Sequence, residues 1–168
     1  RLWPFRGDGS RSNFVLVRGG SGFGKTDLSV CLLDLCASMG HYVRYVAVGR
    51  KPTDYIRVLH DIWGRNDPNR ARSPLAQQLP LGPEAELDKV LTESKDPVTL
   101  YTTFRRALAD LSKKKPVTIV LDEFGTKMSE ENFWVVWGNL LVPLSERDME
   151  RVNVILALGN DESAQFRY

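Results

Sequence analysis

Cysteine and histidine are each present only twice, and no apolar run is long enough to span a bilayer. Cys31 and Cys36 stand five positions apart in one expected helix, so they point to different faces and do not pair. A disulfide-stapled scaffold is thereby excluded, and two unpaired thiols suit a reducing, intracellular compartment, cytoplasmic or nuclear. His41 and His60 have no metal-ligating company in the sequence. The longest apolar-rich stretch, Leu28 to Met39, is interrupted by Asp34, so no membrane partner is expected. Strong charge of one sign is also missing: the net charge is +2, which neither demands nor excludes nucleic acid. Repeats, low-complexity segments and a signal-peptide pattern are absent as well, and a chain opening at Arg1 is expected to be a piece of a longer one.

What is present suits one soluble α/β domain. The 168 residues are 42% apolar and 26% charged, enough for a full core in a single unit over residues 1–168. Residues 1–13 are polar and irregular around Leu2, Trp3 and Phe5. Strands are expected at 14–18, 42–48, 117–121 and 152–158, each a short run of apolar or β-branched residues. Helices are expected from Lys25 to Met39, Asp54 to Trp63, Glu84 to Glu93, Pro97 to Ser112 and Glu130 to Leu144. In the first, Leu28, Cys31, Leu32, Leu35, Cys36 and Met39 follow helical spacing, and Gly40 supplies a stop. Residues 64–83 are rich in polar residues and proline and read as a long loop, where Arg65, Arg70 and Arg72 are solvated charges or phosphate contacts. Strands alternating with helices, and strands that are continuously apolar, predict a parallel sheet with helices on both faces.

The sharpest local signal is Gly19-Gly20-Ser21-Gly22-Phe23-Gly24-Lys25-Thr26, which fits G-x-x-x-x-G-K-[ST] between an expected strand and an expected helix. Glycines let the backbone curl with its N–H groups inward around an anion. The helix adds the positive end of its dipole. Lys25 would reach the β- and γ-phosphates of a nucleoside triphosphate, and Thr26 would offer a hydroxyl to Mg²⁺. The competing reading is a glycine-rich turn that happens to precede a lysine.

The second signal is Val117-Thr118-Ile119-Val120-Leu121-Asp122-Glu123, an apolar strand ending in two carboxylates. The C-terminal end of a parallel strand is the ligand edge of such a sheet. Asp122 would hold magnesium there, and Glu123 would orient or deprotonate an attacking water. Two ordinary surface acids at a strand exit are the alternative.

Together these segments resemble the ATPases of the phosphate-loop class that include the AAA+ and STAND branches, with 19–26 as Walker A and 117–123 as Walker B. The resemblance covers residues 14–160. It implies a three-layer fold with sheet order 5-1-4-3-2 and a fifth strand either absent or beyond Tyr168. It implies ATP or ADP and Mg²⁺ as ligands, and self-association or control of attached regulatory or effector domains. Val152 to Asn160 resembles the AAA+ strand that ends in a polar sensor, which would place Asn160 near the γ-phosphate or the catalytic water. A plain turn at Gly159-Asn160-Asp161 is the alternative. The resemblance also suggests that Trp3, Pro4 and Phe5 pack on the adenine base, against an alternative role as a terminal anchor. Two departures stand out: no helical lid is recognisable, and no arginine finger is assignable among Arg147, Arg151 and Arg167.

Three functions compete on this reading: an ATPase that couples nucleotide state to conformational change or assembly, a slowly hydrolysing STAND-type switch, and a small-molecule kinase. A GTPase is disfavoured because no Asn-Lys-x-Asp motif occurs. Trp134 and Trp137, in the helix after the acidic strand, are expected in the core, with a partner surface as the alternative.

Overall fold

The computed structural model describes residues 3–4, 14–48, 54–63, 93, 96–124, 128–143, 149 and 151–159. Its elements in chain order are β1 (Trp3–Pro4), β2 (Phe14–Arg18), α1 (Lys25–Ser38), β3 (Tyr42–Ala47), α2 (Tyr55–Trp63), α3 (Pro97–Lys114), β4 (Val117–Asp122), α4 (Glu130–Val136) and β5 (Val152–Leu158). The loop at 64–83 and the helix expected at 84–93, save Glu93, lie outside the described residues.

The sheet order is β1-β2-β5-β4-β3. β2 pairs with β5, β5 with β4 and β4 with β3, all parallel. Numbered as the sequence reading numbers them, the parallel strands run 1-4-3-2. The fifth parallel strand is not found among the described residues. Beside β2 lies instead an antiparallel two-residue strand, with Trp3 opposite Leu16 and Pro4 opposite Val15. That corrects the expectation of a wholly irregular segment before Phe14. Proline is tolerated there because β1 is an edge strand.

Each strand sends alternate side chains to opposite faces. Val117, Ile119 and Leu121 of β4, with Val152, Val154, Leu156 and Leu158 of β5, enter the larger core beneath α2, α3 and α4. Val120, Ile155 and Ala157 turn the other way, toward Leu33 of α1. Both faces are thus covered by helices, and every residue of β4 is buried. A strand dry on both faces has no need to alternate apolar and polar residues, which is why 117–121 reads as an unbroken apolar run.

Helix ends follow their local chemistry. Asp96 caps α3, accepting from the Thr99 N–H at 2.9 Å, with Pro97 in the first turn. Hydrogen bonds from the Thr99 hydroxyl and then its N–H hold the Asp96 carboxyl below the usual carboxylate range. Lys113 and Lys114 sit in the last turn of α3, where the dipole favours cations, before Pro116 ends the run. Gly40, at φ 85°, closes α1: its N–H reaches Ala37 O at 2.9 Å and the His41 N–H reaches Cys36 O at 3.1 Å. This is the paired bonding of a Schellman cap, which needs a left-handed residue.

Two helix faces differ from expectation. In α1 the buried residues are Ser29 and Leu33, while Leu28, Leu35 and Met39 are exposed. The helix is apolar nearly all round, so its spacing identified a helix without identifying the face that meets the sheet. The helix expected over 130–144 is α4 followed by a π-helical turn at Trp137–Leu141. Trp137 packs against the core, but Trp134 is 46% exposed, which corrects its expected core placement.

No helix among the described residues is long and apolar enough to cross a membrane.

Candidate functional site

The strand–turn–helix expected around the glycine motif is present. β2 ends at Arg18, residues 19–24 form the turn, and α1 starts at Lys25. Gly22 and Gly24 both take positive φ, 79° and 71°, a conformation that strains any side-chain-bearing residue. At Gly19, by contrast, a Cβ would make only ordinary van der Waals contacts, 3.6 Å to Phe23 Cβ and 3.7 Å to Lys25 Cγ. Gly22 and Gly24 are therefore what permits the tight path. Ser21 and Phe23 lie on the exposed outer side, with Phe23 82% exposed.

α1 begins on Gly24 with no side chain capping it, whereas α3 and α4 are capped by Asp96 and Ser129. The first-turn N–H groups of a helix have no intrahelical acceptor. At this helix they directly follow the glycine turn in the chain, at the positive end of the helix dipole. The Lys25 ammonium folds over the turn and donates to Gly20 O at 2.8 Å, an oxygen that also accepts from the Phe23 N–H at 3.4 Å. A cation, a glycine turn and an uncapped helix start thus lie together.

Asp122 is brought to this turn by the sheet. It is the last residue of β4, paired with Ala47 of β3, and is 3% exposed. Thr26 Oγ1 donates to its Oδ2 at 2.7 Å, across 96 residues of sequence. Tyr45, from β3, donates its phenol to the same Oδ2 at 2.5 Å. The Glu123 N–H donates to Oδ1 at 3.0 Å. Both oxygens of the buried carboxylate are therefore engaged, which fixes its orientation.

Glu123 is exposed and takes φ 54°, the left-handed region, without being glycine. Just beyond it, the Phe124 N–H returns to Ala157 O at 3.2 Å, tying the turn to β5. The bend leaves Glu123 at the C-terminal edge of the sheet, immediately after Asp122. Left-handed backbone at a bulky residue costs roughly 1–2 kcal/mol and is common where function demands a particular side-chain placement.

Of the residues singled out in the sequence, the structure brings together Gly19 to Thr26, Asp122 and Glu123. The turn after β2 leads into α1 on one face, and the turn after β4 leads into α4 on the other, with β5 between them. Such a crevice at the carboxyl ends of parallel strands is where open α/β sheets hold ligands. Asn160, Arg147 and Arg167 lie outside the described residues. Arg151 lies at the opposite end of the sheet, just before β5, and donates to Lys113 O at 3.2 Å, so it is not an arginine of this site. Nothing is described of the Trp3 and Pro4 side chains, and Phe5 lies outside the described residues.

The sequence reading missed Tyr45. It sits mid-strand among valines, and only the pairing of β3 with β4 brings its hydroxyl to Asp122.

The donor set fits magnesium in kind. A hydroxyl and a carboxylate already in contact are hard oxygen ligands, and Mg²⁺ is commonly held by one or two carboxylates plus substrate phosphates rather than by an all-protein cage. Among the described residues there is no group of three or more His, Cys, Asp or Glu that could hold a metal ion.

Compared with protein-family models, curated proteins and solved structures, the chain has no significant match to any of them.

Proposed function

We propose that this chain is an ATP-binding module of the phosphate-loop class, with AAA+-like strand organisation, that hydrolyses ATP to ADP and phosphate and couples nucleotide state to conformational change or assembly. The observation that carries the proposal is the Thr26–Asp122 hydrogen bond. It joins the end of a G-x-x-x-x-G-K-T turn to a buried acid at the end of β4, one strand removed from β2 in the sheet, the pairing magnesium-nucleotide chemistry requires.

In this mechanism the first-turn N–H groups and Lys25 bind and orient the β- and γ-phosphates, and Lys25 exchanges Gly20 O for phosphate oxygens. Thr26 would offer its hydroxyl oxygen to Mg²⁺ and Asp122 would support the ion through Thr26 and through water, and the ion would supply charge neutralisation on the phosphates. Glu123 accepts a proton from water as the water oxygen bonds to the γ-phosphorus and the bond to the β–γ bridging oxygen breaks. General-base assistance of this kind supplies about 10²–10⁴ in rate. Asn160 is proposed to hydrogen-bond the γ-phosphate.

The decisive experiment measures ATP and GTP binding and turnover, with Mg²⁺, for wild type, Lys25→Ala and Glu123→Gln. Binding is expected to collapse in Lys25→Ala. Turnover, but not binding, is expected to fall in Glu123→Gln. Absence of nucleotide binding by wild type refutes the proposal. Transfer of phosphate to a metabolite instead of water establishes a kinase.

A further inference from the structure

We infer that Tyr45 is a positioning residue of this site, holding Asp122 in the orientation that serves Thr26 and the metal; the inference rests on the magnesium-nucleotide reading above. Four facts carry it. The Tyr45 phenol donates to Asp122 Oδ2 at 2.5 Å, the shortest of the three hydrogen bonds described to that carboxylate. Asp122 is almost completely buried, so these donors stand in for the water that would otherwise solvate it. Tyr45 reaches it from β3, Thr26 from α1 and the Glu123 N–H from the turn after β4, so the carboxylate is gripped from three elements. The ring itself packs against the core beneath α1 and is held there by that packing.

The consequence is chemical. Oδ2 has two lone-pair directions, and both are taken by hydroxyl donors, Thr26 and Tyr45. Oδ1 is turned to the Glu123 backbone. Asp122 therefore acts on the metal by accepting the Thr26 proton, which leaves the lone pairs of Thr26 Oγ1 facing outward for coordination. Tyr45 keeps the second lone pair of Oδ2 occupied and stops the carboxylate from rotating away from Thr26. Groups that orient metal ligands from behind in this manner change metal affinity by about 10–100-fold when removed.

The test is Tyr45→Phe, which deletes the hydroxyl and keeps the ring in the core. Fluorescence-detected ATP binding is titrated with Mg²⁺ for both proteins, and melting temperature is recorded beside it. The half-saturating Mg²⁺ concentration is expected to rise about tenfold in Tyr45→Phe. An unchanged midpoint overturns the inference, and if it is accompanied by a lowered melting temperature the hydroxyl is merely structural. In wild type, the ring Cζ resonance of ¹³C-labelled Tyr45 is expected to shift when Mg²⁺ joins the ATP complex; a resonance that stays still overturns the inference independently of any variant. If wild type binds ATP with Mg²⁺ and Tyr45→Phe matches it, only the role of Tyr45 falls. If wild type shows no magnesium-dependent binding, both readings fall together.

Discussion

Replacing Glu123 separates the cost of the site from its chemistry. Glu123 is exposed, so shortening its side chain removes no core packing. Its backbone is left-handed at φ 54°, and the bonds from the Glu123 N–H to Asp122 and from the Phe124 N–H to Ala157 O are expected to hold that conformation in the alanine and glycine variants. Glu123→Ala keeps a Cβ in the unfavourable region, which costs roughly 1–2 kcal/mol. Glu123→Gly removes that cost but adds about 0.5–1 kcal/mol of chain entropy lost on folding. The glycine variant is therefore expected to be more stable than the alanine variant by about 0.5–1 kcal/mol, or roughly 1–4 °C in melting temperature for a chain of this size. Both variants lose the proposed base, so both are expected to turn over ATP about 10²–10⁴-fold more slowly than wild type. Urea denaturation and a phosphate-release assay read the two effects separately. A glycine variant no more stable than the alanine variant refutes the claim of strain at Glu123. Undiminished turnover in both refutes its role as base.

Asp122→Ala removes the acceptor shared by the Thr26 and Tyr45 hydroxyls. A loss of about 1–3 kcal/mol is expected by denaturant titration, together with loss of magnesium-dependent nucleotide binding. On α1, Leu33→Ala empties a buried position and is expected to cost about 2–5 kcal/mol. Leu35→Ala, two positions on but exposed, is expected to stay within about 0.5 kcal/mol, and equal losses would show the wrong face assigned to the sheet. His41 has its pKa lowered from its ordinary 6.5, first by burial and then by the nearby Arg151 charge. The unfolded chain therefore takes up this proton before the folded one does, so the His41 contribution is intact above pH 6.5 and is lost as pH falls below it toward the folded value. His41→Gln is expected to flatten that part of the stability–pH curve, measured by urea midpoints, and an unaltered slope would show that His41 does not drive it.

The glycine turn was legible before any coordinates because its chemistry is local. Gly22 and Gly24 occupy positive φ, and only a short list of residues tolerates that, so the composition of 19–26 reports its geometry directly. The strands 117–122 and 152–158 were legible for a related reason: burial on both faces leaves a continuous apolar run, which few other structures produce. Gly40 likewise announced a helix end through bonds that span only a few residues.

Other features depended on partners far away in the chain. Apolar residues circle most of α1, so only docking on the sheet selected Leu33 over Leu35. Trp134 faces outward because the turn of α4 leaves Phe133 and Val136 to fill the core. The antiparallel pairing of Trp3–Pro4 with β2 rests on two residues, too few for periodicity to register. Above all, the meeting of Thr26, Tyr45 and Asp122 joins α1, β3 and β4. Residue type proposed two of those three, because hydroxyl and acid sit at recognisable ends of a turn and a strand. The third is a tyrosine in the middle of a strand, and nothing short of the pairing of that strand with its neighbour makes it part of the site.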